Sequence, residues 1–189
     1  MFGGMIHMVY MILGTGFEET EAVVPVDLLR RAGVQTACVG IGGLEITGSH
    51  GMTFLADLTV EQMDLTELDM IVLPGGLDGV ASIRSCRPVL DAIQFAYENH
   101  KYIGAICAAP TVLAELHITD GKKAVCYPGE QLIHQMNASD FQPDAAVVRD
   151  GTVITAASAG CAVAFALELI AALKGRETAQ AVADQLVIR

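Results

Sequence analysis

A lone thiol stands at Cys107 in the stretch YIGAICAAPTVLAE, residues 102–115. The apolar run before it reads as a buried strand. The residues after it start a helix, with Pro110 in the first turn, where a missing N–H costs nothing. Strand, sharp turn and helix is the pattern that lifts a nucleophile off a sheet, as in the Gly-x-Ser-x-Gly elbow. A thiol at a helix N-terminus also meets the positive end of the dipole, which favours thiolate. A buried structural cysteine fits the same stretch, and the choice turns on which polar groups converge there.

Two further stretches offer such groups. In GFEETEAVVPVDLLRRAG, a helical wheel puts Glu18 and Glu21 on the stripe of Ala22, Pro25, Leu29 and Ala32, and Glu19 on the face of Arg30. A carboxylate on a core stripe is costly unless protonated or paired. Glu19 is accounted for as a first-turn complement to the dipole, and Glu21 is not. In LPGG, residues 73–76, Gly75 and Gly76 end a strand and leave backbone N–H groups free, which suits an oxyanion hole.

These groups need a frame, and the periodicity supplies one. Short β-rich runs alternate with helical patterns, the mark of parallel βαβ units. Strands are expected at 7–13, 34–41, 70–73, 103–106, 124–127, 145–148 and 153–156. Helices are expected at 18–32 (ended by Gly33), 87–99, 108–116, 160–174 and 177–185, with a hairpin-like excursion at 42–58. The result is one doubly wound α/β domain over residues 1–189, with 1–7 read as an extension. Sites in such sheets lie beyond the carboxyl ends of the strands.

Composition narrows the partners. The net charge of -11, with no Lys/Arg run, argues against nucleic acid. Cys38, Cys86, Cys107, Cys126 and Cys161 are odd in number, contain no CxxC pair and lie in or beside apolar segments. That usage indicates a reduced, cytoplasmic protein. The N-terminus lacks the basic region of a signal peptide. The uncharged run 151–167 is 17 residues long and contains Gly, Ser and Thr, short of the ~20 apolar residues a bilayer needs. His7, His100, His117 and His134 show no metal-ligand spacing, so neither metal nor cofactor is expected.

GFEETEAVVPVDLLRRAG, VLPGG and AICAAP together resemble three fingerprints of the ThiJ/PfpI family, in the branch of the Parkinson's-associated deglycase (DJ-one), over essentially the whole chain. The resemblance implies a flavodoxin-like, mostly parallel sheet with helices on both faces, of class I glutamine amidotransferase type, and a homodimer. It implies Cys107 as the reactive cysteine, Glu21 as its protonated partner, and Gly76 and Ala108 as residues whose amides face the sulfur. It further implies glyoxalase or deglycase action on small carbonyl compounds or glycated amines and thiols. The alternative is a non-catalytic redox sensor or chaperone that uses oxidation of Cys107. Four positions depart from the family pattern, one of them Ala157, which replaces an Arg of the branch. Ala108 stands where peptidase-like relatives carry a His, so no Cys-His protease dyad is built from neighbours, and peptidase activity is not expected. Tyr127 replaces a His before a proline, and a phenol is a poor base at neutral pH. His50 stands at an Arg position of the branch. It is either an auxiliary group reaching Cys107, together with Glu18 and Tyr127, or a loop histidine without a role.

Overall fold

A strand covered on both faces reads as a continuous apolar run, and MVYMIL lies at the centre of the sheet. The structure, a computed structural model, describes residues 8–188. The extension expected at residues 1–7, with the His7 start of the first strand, lies outside the described residues. The elements are, in chain order, β1 (Met8–Leu13), α1 (Glu19–Arg31), β2 (Gln35–Gly40), β3 (Glu45–Thr47), β4 (Thr53–Leu55), β5 (Leu58–Thr59) and β6 (Leu68–Leu73). There follow α2 (Leu77–Ser85), α3 (Arg87–Glu98), β7 (Tyr102–Ile106), α4 (Pro110–Glu115), β8 (Lys123–Ala124), α5 (Glu130–Gln135) and β9 (Asp140–Phe141). The chain closes with β10 (Val147–Asp150), β11 (Val153–Ala156), α6 (Ala162–Lys174) and α7 (Arg176–Gln185).

Seven strands form one sheet in the order β10-β11-β7-β6-β1-β2-β5, parallel except for the antiparallel β10–β11 edge. This is the expected doubly wound, flavodoxin-like arrangement. Side chains of β1 alternate between two cores. Val9, Met11 and Leu13 meet Leu29 of α1 and Phe165 and Leu169 of α6. Tyr10 and Ile12 meet Val89 and Ile93 of α3 on the other face. Each such apolar side chain contributes about 1.5–3 kcal/mol on burial. β7 approaches α6 so closely that a Cβ at Gly104 would stand 2.9 Å from Leu169 Cδ2.

Helix α1 carries its own start and stop signals. Glu18 caps it, accepting the Glu21 N–H at 2.8 Å. Gly33, at φ +70°, ends it in a Schellman motif, with Gly33 N–H donating to Arg30 O and Val34 N–H to Leu29 O, each at 3.0 Å. From β1 the winding runs through β2 to one side and through β6, β7 and β11 to the other. The loops after β1 and β6 therefore part at a topological switch point, where a crevice opens.

The structure departs from expectation in places. Residues 125–127, expected as strand, are extended but bond outside a ladder: Val125 N–H donates to Thr155 Oγ1 at 3.0 Å and Tyr127 N–H to Cys107 O at 2.8 Å. β8 pairs only with β9, in a small separate sheet. The strand expected at 145–148 lies at Val147–Asp150. Helices α2 and α5 were not expected. α2 buries Val80 and Ile83, and beside them Gly79, where a Cβ would lie 2.6 Å from Phe17 Cα, so a short apolar stripe is completed by close backbone packing. Among the described residues, no helix is long and apolar enough to cross a membrane.

Candidate active site

The loops leaving β1, β6 and β7 carry the glutamates of α1, the glycine pair and Cys107 to one crevice. Cys107 adopts φ +64°, a left-handed conformation that costs a non-glycine residue about 1–3 kcal/mol. Its neighbours hold it there. Cys107 N–H donates to Ala156 O at 2.9 Å, and Cys107 O accepts from Tyr127 N–H at 2.8 Å. One residue on, the Ala108 carbonyl accepts the Thr111 hydroxyl at 2.6 Å, and Thr111 Oγ1 in turn accepts from Arg84 Nη2 at 2.8 Å. The turn is an elbow clamped on both sides.

Gly75 sits between the thiol and Glu21. A Cβ there would lie 2.5 Å from Glu21 Oε2 and 2.7 Å from Cys107 Cβ, so only glycine fits. Its N–H donates to Glu21 Oε2 at 2.8 Å in a buried bond. This corrects the expectation that Gly75 offers a free oxyanion donor. The N–H groups of Gly76 and Ala108 are the ones that bond the sulfur. Gly76 takes φ +84°, a backbone turn that glycine adopts without strain.

Glu21 is fully buried, and its Oε1 has no conventional hydrogen-bond partner among the described residues. The group within reach is the Cys107 thiol. Burial pushes the Glu21 carboxyl up to about 7, against the bond from Gly75 N–H. Burial, then the Glu21 charge and its hydrogen bond, push the thiol up to about 12, against the amides of Ala108 and Gly76. Both groups cannot be charged together, so the pair shares one negative charge. With Glu21 ionised the thiol keeps its proton, and a low-pKa Cys107 exists only where the proton sits on Glu21. The unpartnered Oε1 has room for that proton.

Glu19 overturns its outward placement on the wheel, for it is 2% exposed. The β3–β4 loop folds over the start of α1, and a Cβ at Gly48 would stand 2.5 Å from the Glu19 carboxyl carbon. Glu19 Oε1 accepts His50 N–H at 2.8 Å, while Oε2 lies 2.9 Å from His50 Nδ1 and 3.2 Å from Ser49 Oγ. Burial alone raises a carboxyl, but these donors outweigh it and hold Glu19 down at about 2. The Glu19 bond and charge in turn raise the His50 imidazole above its usual value. No sequence signal exposed this pair, because the loop that covers Glu19 lies 30 residues further on.

A cavity of about 700 Å³ opens over the thiol, bordered by Glu18, His50, Gly76, Leu77, Cys107, Ala108, Tyr127 and Glu130. The expected auxiliary residues Glu18, His50 and Tyr127 thus share it with Cys107. Glu18, Glu19 and His50 offer ligand atoms within 4.8 Å of one another. Both Glu19 oxygens already accept protein donors, from His50 and Ser49.

Residues 7–172 match the DJ-1/PfpI family. The chain is 36% identical to Protein dj-1beta of Drosophila melanogaster over 181 residues, 94% of this chain and 95% of that one. The crystal structure of Drosophila melanogaster DJ-1beta superposes with a TM-score of 0.92 at 35% identity, covering 98% of this chain and all 100% of that one. Oxidized Toxoplasma gondii DJ-1 superposes with a TM-score of 0.88 at 29% identity, over 96% and 98% of the two chains. On sequence and fold together, the chain belongs to the DJ-1/PfpI family.

Proposed function

We propose that this protein is a cytoplasmic, cysteine-dependent stress-response protein that acts on reactive carbonyls, working as a homodimer. Family membership supports the stress-response role and the dimer. The carbonyl chemistry rests on one observation, the pairing of Cys107 with a buried Glu21 that has an unpartnered oxygen, under an open cavity. With the proton on Glu21, the Cys107 thiolate adds to an aldehyde carbon of methylglyoxal, or to the carbonyl adduct on an amine or thiol. The C–S bond forms as the C=O pair moves to oxygen. The N–H groups of Gly76 and Ala108 stabilise that oxygen, and Glu21 delivers its proton to it.

The same site supports a second reading. The thiolate that forms with the proton on Glu21 is equally the species that attacks a peroxide, and where no aldehyde competes, oxidation rather than turnover is the relevant chemistry. A peroxide takes Cys107 to sulfenate and then sulfinate, altering a partner or chaperone surface. Steady-state loss of methylglyoxal separates the two. Many turnovers per chain, abolished in Cys107→Ser, support the enzyme. One modification per chain supports the sensor. Casein stays intact in either case, since Ala108 stands where peptidase-like relatives carry the histidine that pairs with the cysteine.

A further inference from the structure

The cavity over Cys107 contains one imidazole, and its placement is not that of a passive surface group. His50 is carried on the β3–β4 loop with its side chain 69% exposed at the cavity mouth. Its Nδ1 is held 2.9 Å from Oε2 of the buried Glu19, and the Glu19 Oε1 bond to the His50 N–H fixes the backbone beneath. A carboxylate on one ring nitrogen leaves the other, Nε2, as the working atom, the relation found wherever a buried acid orients a catalytic imidazole. Tyr127 borders the same cavity.

We infer that His50, oriented by Glu19, is a second acid–base group of the site and makes it selective for vicinal dicarbonyls, whose two oxygens need two proton donors. This rests on the carbonyl-addition reading above. After Cys107 Sγ has bonded to the aldehyde carbon, Glu21 has given its proton to the first oxygen and stands as a carboxylate. It then removes the hydrogen from that carbon. The released electron pair forms the carbon–carbon double bond of an enediol, and the second carbonyl's π pair moves to its oxygen. His50 Nε2–H supplies the proton that this oxygen takes, leaving a neutral imidazole. No oxidant or reductant enters. Simple aldehydes lack the second oxygen and stop at the thiohemiacetal.

Glu18, Glu19, Cys107, Tyr127 and Glu130 are the titratable groups facing His50 around the cavity. The Glu19 bond, then its charge, raise the imidazole, so its acid form persists to higher pH than in an unpaired histidine and is lost as pH rises. Methylglyoxal turnover in wild type, Cys107→Ser, His50→Gln and Glu19→Gln, followed across pH, tests the assignment. His50→Gln is expected to lose about 100-fold in kcat, the low end for general acid–base catalysis, with kcat/KM falling alongside it. Its alkaline limb disappears, and the cysteine adduct accumulates by intact mass. Glu19→Gln moves that limb to lower pH. The wild-type kcat and limb in His50→Gln, with Cys107→Ser inactive, would overturn the role of His50 alone. No wild-type turnover, or turnover that survives Cys107→Ser, would remove the carbonyl reading and this inference with it. His50 is exposed, so its variant folds even where Glu19→Gln does not.

Discussion

Removing the charge of Glu21 while keeping a donor is the sharpest test of the site. In the wild-type pair the first proton leaves at about 7, where burial has pushed the carboxyl, and the second only at about 12. Two like charges ~4 Å apart at an effective dielectric of ~20 repel by ~4 kcal/mol. At ~1.4 kcal/mol per unit that is an upper bound of ~3 pKa units, and burial, the larger cause of the rise of Cys107 from its ordinary 9.0, stays in the variant. Glu21→Gln therefore gives a single thiolate step below the wild-type upper step, by no more than ~3 units. Glu21→Leu removes the donor as well. A hydrogen bond to a charged group contributes ~1.5–3 kcal/mol, so the Leu variant titrates ~1–2 units above the Gln variant. Ultraviolet absorbance of the thiolate reads both, with the matching Cys107→Ser protein subtracted, because burial pushes Cys38 and Cys126 up to about 11 as well. One midpoint common to wild type and both variants would refute the pairing.

Other perturbations reach the frame around the pair. Gly75→Ala drives a methyl between Glu21 Oε2 and Cys107 Cβ, and urea unfolding should show a loss of about 1–3 kcal/mol, as for other overpacked sites. Thr111→Val leaves the Ala108 carbonyl and Arg84 without the hydroxyl. The carbonyl keeps the residue 111 N–H and Arg84 keeps Glu115 and Gln135, so the same measurement should show a loss of about 0.5–1.5 kcal/mol for each lost hydrogen bond; a neutral result would mean the elbow does not depend on that clamp. Stability also changes with pH in two opposite windows. Glu21, raised in the fold, contributes fully below 4.5 and loses its contribution as pH rises through about 7. Glu19, lowered in the fold, contributes above 4.5 and loses its contribution as pH falls towards about 2. Denaturant midpoints across pH should flatten in the upper window for Glu21→Gln and in the lower one for Glu19→Gln.

How much of this was legible in the sequence depended on how local the cause was. β1, α1 with its Gly33 stop, and the β7–Cys107 elbow are each written within a dozen or so residues, by apolar runs, capping residues and small residues around the thiol. Glu21 announced itself because the stripe it violates belongs to its own helix. Helix α2 stayed hidden because its apolar stripe is short, Val80 and Ile83, and is completed by Gly79 against the Phe17 backbone. Residues 125–127 looked like a strand because Val125 and Cys126 are apolar and buried, yet the backbone donors of Val125 and Tyr127 go to Thr155 and Cys107. The free amides of Gly75 and Gly76 were half right, since nothing in LPGG tells which of the two N–H groups faces a glutamate.

Glu19 and Glu21 show why residue type alone could not assign roles at this site. They stand two positions apart on one helix turn, both out of contact with solvent. Glu19 receives the His50 N–H, the His50 ring and Ser49, a full set of donors, and remains ionised down to about 2. Glu21 receives the Gly75 N–H and faces the sulfur and the Ala159 backbone, a weaker set of partners, so burial wins and the carboxyl titrates at about 7. A carboxylate that never protonates can hold an imidazole in place but cannot move a proton. A carboxyl poised at neutral pH can hand a proton over and take it back. The number of donors reaching each oxygen, set by the β3–β4 loop over one glutamate and by Gly75 over the other, divides positioning from proton transfer between two identical side chains.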